Sequence, residues 1–135
     1  MTYDELLIEA DDTGLIVKEA PLCSSDGRCK GNRIAIRKDI ATSTRKADVL
    51  AEELGHYHTT VGDIIEMQGI EDEKQERAAR LWAYNKQIGL SAIVAAFKAH
   101  CSDRFEIAEF LNVSEDFLQE ALECYRQIYG TGTMV

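Results

Sequence analysis

The segment 44–57 has a helical pattern with two chemically different faces. At the 100° spacing of an α-helix, Glu52, Glu53 and His56 fall on one stripe together with Val49. The opposite side of the helix carries Ala47, Leu50, Leu54 and His58. Apolar residues gathered on one side favour burial in a core. We therefore expect a helix that packs one face into the core and directs its acids and its histidine elsewhere.

The same segment contains a helix start signal and an interior glycine. Ser43 precedes the helical pattern and can cap it with its hydroxyl group. Gly55 lies inside the predicted helix, where glycine costs roughly 1 kcal/mol relative to alanine. That cost indicates that another part of the molecule approaches the helix backbone closely at this point.

A second long helix is predicted over residues 71–87. With Glu76 as the reference position, Asp72, Ala79 and Ala83 share its face. Small residues let one helix pack closely against another, and a glutamate on that face can reach a metal ion on its neighbour. We therefore expect the two helices to pack together and to bring Glu76 close to the stripe of acids and histidine.

The stripe has the spacing E-E-x-x-H. Residues at i and i+4 can hold one ion from a single helix face, as in the H-E-x-x-H pattern of zinc peptidases. Glu52 stands at the position of the first histidine, Glu53 at that of the general base and His56 at that of the second ligand. Spacing alone favours a solvated acidic stripe with a lone histidine, because acidic pairs followed by a histidine are common on exposed helices. In the second helix, likewise, Glu76 could be a surface charge paired with Arg80.

The remaining segments complete an α+β pattern in a chain of 135 residues, which is the length of one domain, 1–135. A short sheet is expected between an N-terminal helix and the helices described above, with Gly31-Asn32 as a turn. An alanine-rich, buried helix and a final helical pair follow. The predicted ranges are helix 2–12, strand 15–17 ending before Pro21, strand or hairpin 28–37, and helices 90–99, 104–111 and 115–129.

Composition restricts the location and the partners of the chain. No apolar run reaches the roughly 18 residues that span a bilayer, and the acidic N-terminus lacks the basic start of a secretion signal. We therefore expect a cytoplasmic protein with no membrane partner. The four cysteines form no C-x-x-C pair and are expected to be free thiols. The net charge of −9 disfavours phosphate backbones, so no nucleic-acid partner is expected.

Residues 103–129 read as a helix-turn-helix-like pair, which raises DNA binding as an alternative function. From residue 103 onwards the chain has seven acidic residues, and its basic residues there are Arg104 and Arg126. The second helix would direct Glu115, Asp116 and Glu120 toward phosphates, which it would repel. We interpret the pair as a structural or protein-docking element.

Two segments resemble motifs of the ImmA/IrrE metallo-endopeptidase family. Residues 50–60 resemble its active-site helix, especially in the phage and mobile-element branch, where the leading histidine is often a glutamate. Residues 76–83 resemble its second motif, a glutamate followed by alanine and then an aromatic-alanine pair. The resemblance implies a small zincin-like domain with an N-terminal helix, a short sheet, an active-site helix and a C-terminal helical bundle.

The same resemblance implies roles for individual residues. His56 matches a zinc ligand, Glu53 matches the catalytic glutamate that activates water, and Glu76 matches the third ligand on the following helix. Asp72 is a weaker candidate for that third position. Asp63 is a further residue that could contribute.

Glu52 departs from the histidine of the usual pattern. Glu52, His56 and Glu76 would offer one nitrogen and two carboxylates, a set that still fits Zn²⁺ but shifts preference toward Mn²⁺ or another hard divalent ion. His58 could replace the missing imidazole only if the helix ends at Tyr57, because it lies about 160° from His56 around the helix.

The resemblance implies a function and leaves an alternative. Mobile-element members of the family are partners of helix-turn-helix repressors, which they cleave to release gene expression. We therefore expect a metal-dependent endopeptidase that cleaves such a repressor. The alternative, favoured by Glu52, is a catalytically inactive member that acts as a protein-binding regulatory module.

Overall fold

The computed structural model describes residues 1–59 and 70–130, with side chains in the second range from residue 73 onward. In these ranges the chain forms six helices and three strands, which confirms the α+β class. The elements are α1 (Tyr3–Asp12), β1 (Ile16–Ala20), β2 (Gly27–Lys30), β3 (Arg33–Arg37), α2 (Ser43–Thr59), α3 (Ile70–Gln87), α4 (Gly89–Lys98), α5 (Arg104–Leu111) and α6 (Glu115–Tyr129).

The three strands form one sheet in the order β1-β3-β2. β1 runs parallel to β3, and β2 pairs with β3 in the antiparallel direction. The predicted turn at Gly31-Asn32 joins β2 to β3, and Gly31 has a φ of +59°, in the left-handed region that glycine tolerates. β1 extends to Ala20 rather than ending at Val17, because its backbone pairing with β3 continues through the polar residues that obscured the pattern.

One face of the sheet packs against α2. Ile34 and Ile36 alternate along β3 as predicted, and both are buried. α2 contacts β2 and β3 on that face and α1 at its side. The helix is therefore held between the sheet and the helices that follow it.

The start and end of α2 differ from the prediction. The hydroxyl of Thr42, not of Ser43, accepts a hydrogen bond from the backbone N–H of Arg45 at 3.1 Å, so Thr42 is the capping side chain. At the other end the helix continues to Thr59, whose hydroxyl donates to the carbonyl of Gly55 at 2.7 Å. Two adjacent residues could each serve as the cap, and only the backbone geometry distinguishes them.

α2 and α3 make the most extensive contact in the described structure. A Cβ atom placed on Gly55 would stand 2.2 Å from the carbonyl oxygen of Ala79, so the glycine permits the two backbones to approach. Ala79 and Ala83 are fully buried in this contact. The predicted pairing of the two helices through small residues is confirmed.

The C-terminal helices also follow the predicted order. α5 begins at the side-chain cap Asp103 and ends at Asn112, whose backbone is left-handed, and Ser114 caps α6. The interpretation of 90–99 as a buried helix is wrong in part. Val94 and Phe97 in α4 are about half exposed, because α4 packs on its neighbours with one face only.

Among the described residues, no helix has the length and apolarity needed to cross a membrane.

Candidate functional site

His56 of α2 and Glu76 of α3 meet where the two helices pack together. His56 Nε2 lies 3.3 Å from Glu76 Oε1, and both side chains remain partly exposed. Helical phasing and the alanine face of α3 predicted this approach, and the geometry confirms it. Gly55 directly precedes His56, and Ala79 lies about one turn after Glu76, so the close contact of Gly55 with Ala79 sets the distance between the two side chains.

The spacing of this pair fits two ligands of one metal ion. Zinc binds histidine nitrogen and carboxylate oxygen at about 2.0–2.2 Å in tetrahedral geometry, which separates two ligand atoms by about 3.3–3.5 Å. The separation of His56 and Glu76 matches that value. The pair therefore offers one nitrogen and one oxygen at the distance that a shared ion requires.

Glu52 faces a neighbouring groove. It is half-buried and lines a cavity of about 610 Å³ between α3 and α6, together with Arg80, Tyr84 and Glu120. The Tyr84 hydroxyl donates to Glu120 at 3.1 Å on the wall of this groove. Burial raises the pKa of Glu52, while the positive charge of Arg45 acts in the opposite direction.

Arg80 lies between these two parts of the site. Its guanidinium approaches Glu76 to 3.8 Å, and its positive charge also acts on the Glu52 carboxyl. One cation therefore balances two of the predicted ligands. This arrangement is the ion-paired surface that the sequence left open as an alternative for Glu76.

The predicted ligand set is assembled in part. His56 and Glu76 are in contact, but within residues 1–59 and 73–130 no three acidic, histidine or cysteine side chains form a group that could hold a metal ion. Glu52 stands one helical turn before His56 and is turned toward the α6 groove. A complete set would require Glu52 or a further ligand to join the pair.

The side chain of Glu53 extends from α2 toward the edge strand β2 of the sheet. A Cβ atom placed on Gly27 of β2 would stand 2.8 Å from Glu53 Oε2, so the carboxyl group is pressed against the strand. Burial, followed by the negative charges of Glu52 and Glu76, raises the pKa of Glu53 to about 7. A carboxyl group that titrates near neutral pH can accept a proton and release it again within one reaction.

The secondary candidates have different outcomes. His58 stacks on Trp82, with ring centroids 4.8 Å apart and planes inclined by 17°. Because α2 continues past Tyr57, the condition under which His58 could join the site is not met. Asp63 lies outside the described residues. Asp72 belongs to α3, and its side chain is also outside the description.

Sequence reasoning missed several neighbours of the site. Asp48 lies one turn before Glu52, is fully buried, and has its pKa raised to about 6, chiefly by that burial. The i, i+4 spacing of Asp48 from Glu52 could have indicated that the two carboxyl groups lie on one side of the helix. Cys29 of β2 lies near Glu53, and its thiol pKa rises to about 11 through burial and the charge of Glu53. Nothing in the sequence links Cys29 or Gly27 to Glu53, since strand-to-helix contacts depend on the fold. All four cysteines are free, as expected.

Comparison with known proteins supports the interpretation of the two helices. A family model described as the IrrE N-terminal-like domain matches residues 10–123, which include the whole sheet, both site helices and most of the C-terminal bundle. Comparison with curated proteins and with solved structures gave no match. The matched family is of the zinc metallopeptidase type and carries the fold of a small zincin-like domain. The chain therefore belongs to the IrrE N-terminal-like domain family of peptidases.

Proposed function

We propose that the chain is a cytoplasmic, metal-dependent endopeptidase. The observation that carries this proposal is the approach of His56 Nε2 to Glu76 Oε1, at 3.3 Å, beside a glutamate whose pKa is raised to about 7. A metallopeptidase needs this combination of converging ligands and an adjacent proton acceptor. The free thiols fit a reducing compartment.

His56 and Glu76 would hold the ion, and Glu52 would complete the set from the preceding helical turn. When bound, a divalent ion would polarise the peptide carbonyl and make water a stronger nucleophile near neutral pH. Zinc is the expected ion, and two carboxylates beside one imidazole also suit Mn²⁺.

Glu53 would act as the general base and then as the general acid. In its ionised form it takes a proton from the attacking water, and it passes that proton to the leaving amine. Its burial against Gly27 fixes the carboxyl group in one place, and its raised pKa makes the return of the proton favourable. Glu53 is not needed to hold the ion.

We propose a helix-turn-helix repressor, encoded on the same phage or mobile element, as the protein substrate. The resemblance of residues 50–60 to the branch with glutamate at the first ligand position supports this assignment. The acidic surface supports a protein partner over DNA.

A second function is favoured by one specific observation. Arg80 pairs with Glu76 and acts on Glu52, so the carboxylates have a cationic partner without a metal ion. A domain that used these charges structurally would be a protein-binding module with the fold of a peptidase.

The test combines metal content with cleavage. The protein is purified without chelator and without added metal, its zinc and manganese contents are measured, and cleavage of the co-encoded repressor is followed. Glu53→Gln should retain the metal and the fold and lose at least about 10² in rate, the usual scale for general acid–base catalysis. His56→Ala should lose the metal.

Glu52→His is the informative third variant. It restores H-E-x-x-H, and it should tighten zinc because imidazole replaces a carboxylate on the same helix face. Cleavage by Glu53→Gln at the parental rate would disprove the catalytic assignment. If the parent neither bound metal nor cleaved, and Glu52→His changed neither result, the binding-module function would replace the enzyme.

A further inference from the structure

The face of the sheet that points away from α2 is positively charged. Its register places Ile16, Arg33 and Lys30 in one row across the three strands, and Lys18, Ala35 and Arg28 in the next. Every strand contributes at least one cation. We call this surface the cationic sheet face and define it by Lys18, Arg28, Lys30 and Arg33.

The side chains of these four cations are exposed. Among the residues that the structure describes, none of the four lies within ion-pairing distance of a carboxylate. Glu19, the acidic residue of β1, faces the other way and pairs with Lys46 and Tyr3. Four unpaired cations on one face stand out in a chain whose net charge is −9, because the rest of its surface is more acidic still.

The cationic sheet face also has a concave shape. The four cations surround a shallow depression of about 320 Å³ whose floor includes Ile16 and Ala35. Ile16 is 44% exposed, so an apolar side chain is available between the charges. A ligand for this surface would need negative charges at the spacing of a β-strand and some apolar content between them.

We propose that the cationic sheet face binds an acidic, extended segment of a partner protein. The inference rests on the proposed function in one respect, since the bound segment would belong to the substrate. The position of β2 supports the assignment of the bound segment to the substrate. β2 pairs with β3 alone in the described structure, and its Gly27 lies against Glu53. A peptide added along β2 would therefore pass beside the catalytic carboxylate.

Strand geometry then assigns the two sets of peptide side chains. Successive side chains of a strand point to opposite faces of the sheet. One set would point to the α2 side, toward Glu53, and the other would lie beside Arg28 and Lys30 on the cationic sheet face. Opposite charges on neighbouring strands stabilise their pairing. The preferred segment therefore has acidic side chains at alternate positions.

A peptide fits this surface better than a nucleic acid. A peptide can use the backbone groups of the β2 edge, which phosphates cannot do as an added strand. A duplex would extend beyond the four cations and meet the acidic remainder of the surface, where its phosphates would be repelled. The geometry points to an acidic peptide as the occupant.

Binding is measured on the full chain carrying Glu53→Gln, so that turnover does not interfere. The probes are a labelled peptide with glutamate at every second position and threonine between, its glutamine counterpart, and a labelled DNA duplex. At low salt the glutamate peptide should bind at least about tenfold more tightly than the glutamine peptide, because two or more charge pairs are added. Added salt should reduce this difference.

The variant Arg28→Gln/Lys30→Gln removes two cations from the edge strand and should abolish most of the preference. Its matched control, Lys98→Gln/Arg126→Gln, makes the same charge change at exposed positions on α4 and α6 and should keep the preference. Equal binding of the two peptides, an equal loss in the control, or tighter binding of the duplex would overturn the inference. Because cleavage is not measured, these outcomes are independent of whether the protein is a peptidase.

Discussion

Gly27 leaves no room for a side chain between β2 and the helix that carries the site. A Cβ atom there would lie 2.8 Å from Glu53 Oε2 and 2.8 Å from Val49 Cγ1. Both contacts are with side chains, so an added methyl group would displace them rather than block the backbone. Gly27 therefore controls the position of the Glu53 carboxyl group.

Gly27→Ala should lower the cleavage rate without removing the metal. A displacement of about 1 Å can cost about 10² in rate, and the proposed ligands are not in contact with this position. Cleavage rate as a function of pH and metal affinity are both measured, since the environment that raises the pKa of Glu53 would change. Val49→Ala in the same background relieves one of the two contacts and should restore part of the rate. An unchanged rate and pH profile in Gly27→Ala would contradict the positioning role.

At the scale of elements, the contact of α2 with α3 depends on Gly55. Glycine is normally the poorer residue in a helix, and alanine would improve helix propensity by roughly 1 kcal/mol. Here a Cβ atom would stand 2.2 Å from the carbonyl oxygen of Ala79, which belongs to backbone and cannot rotate away.

Gly55→Ala should therefore destabilise the fold, by about 1–3 kcal/mol, the usual cost of overpacking. It should also widen the separation of His56 from Glu76 and weaken metal binding. Urea unfolding followed by circular dichroism measures the first effect, and zinc titration measures the second. Ser91→Ala, on the exposed side of α4, is the control and should change stability by less than about 0.5 kcal/mol. Higher stability in Gly55→Ala would show that the two helices separate without cost.

The same two helices show how far the sequence predicts the site. Spacing within one helix brought Glu52, Glu53 and His56 onto a common stripe, and the alanines of α3 predicted its partner. The direction of Glu52 could not be predicted, because it depends on Arg80 and on a groove formed with α6, far along the chain. Local patterns are independent of such contacts, so they predict which residues share a face but not which neighbour each one meets.

Exposure was also difficult to predict. The alanine-rich composition of 90–99 indicated burial, yet α4 has one packed face and leaves Val94 and Phe97 half exposed. Composition reports the average apolarity of a segment and contains no information on how many neighbours will cover it. The cationic sheet face was missed for a related reason, since strand register brings together residues that are far apart in the sequence.

The stability of the whole molecule should depend on pH, because three carboxyl groups of α2 lie in surroundings that disfavour their charged form. Burial is the main cause of the raised pKa of Asp48 (about 6), of Glu53 (about 7) and of Glu52. A raised carboxyl pKa means that the folded state binds protons that the unfolded state has already released. The free energy of unfolding should therefore fall as the pH rises from about 4.5 through 7.

Asp48→Asn should remove part of this pH dependence. The fully buried amide has no charge to develop, so on the order of 1–2 kcal/mol of the loss between pH 5 and pH 7.5 should disappear. Chemical denaturation at several pH values, with a chelator present, measures the effect. Asp11→Asn, at an exposed position near the end of α1, should keep the parental pH profile. A parental slope in Asp48→Asn would show that the buried carboxyl group does not contribute.

The hydrogen bond from the Ser114 backbone N–H to Asp48 Oδ2, at 3.3 Å, joins residues that the ribosome makes far apart in time. At about 5–20 residues per second, Ser114 follows Asp48 by roughly 3–13 seconds. During that interval α2 can form while water still hydrates Asp48. The arrival of the last two helices expels that water, so the cost of burying this carboxyl group falls on the final step of assembly. The carboxyl group of Asp48 in the site helix is therefore buried only when the C-terminal helices pack against α2.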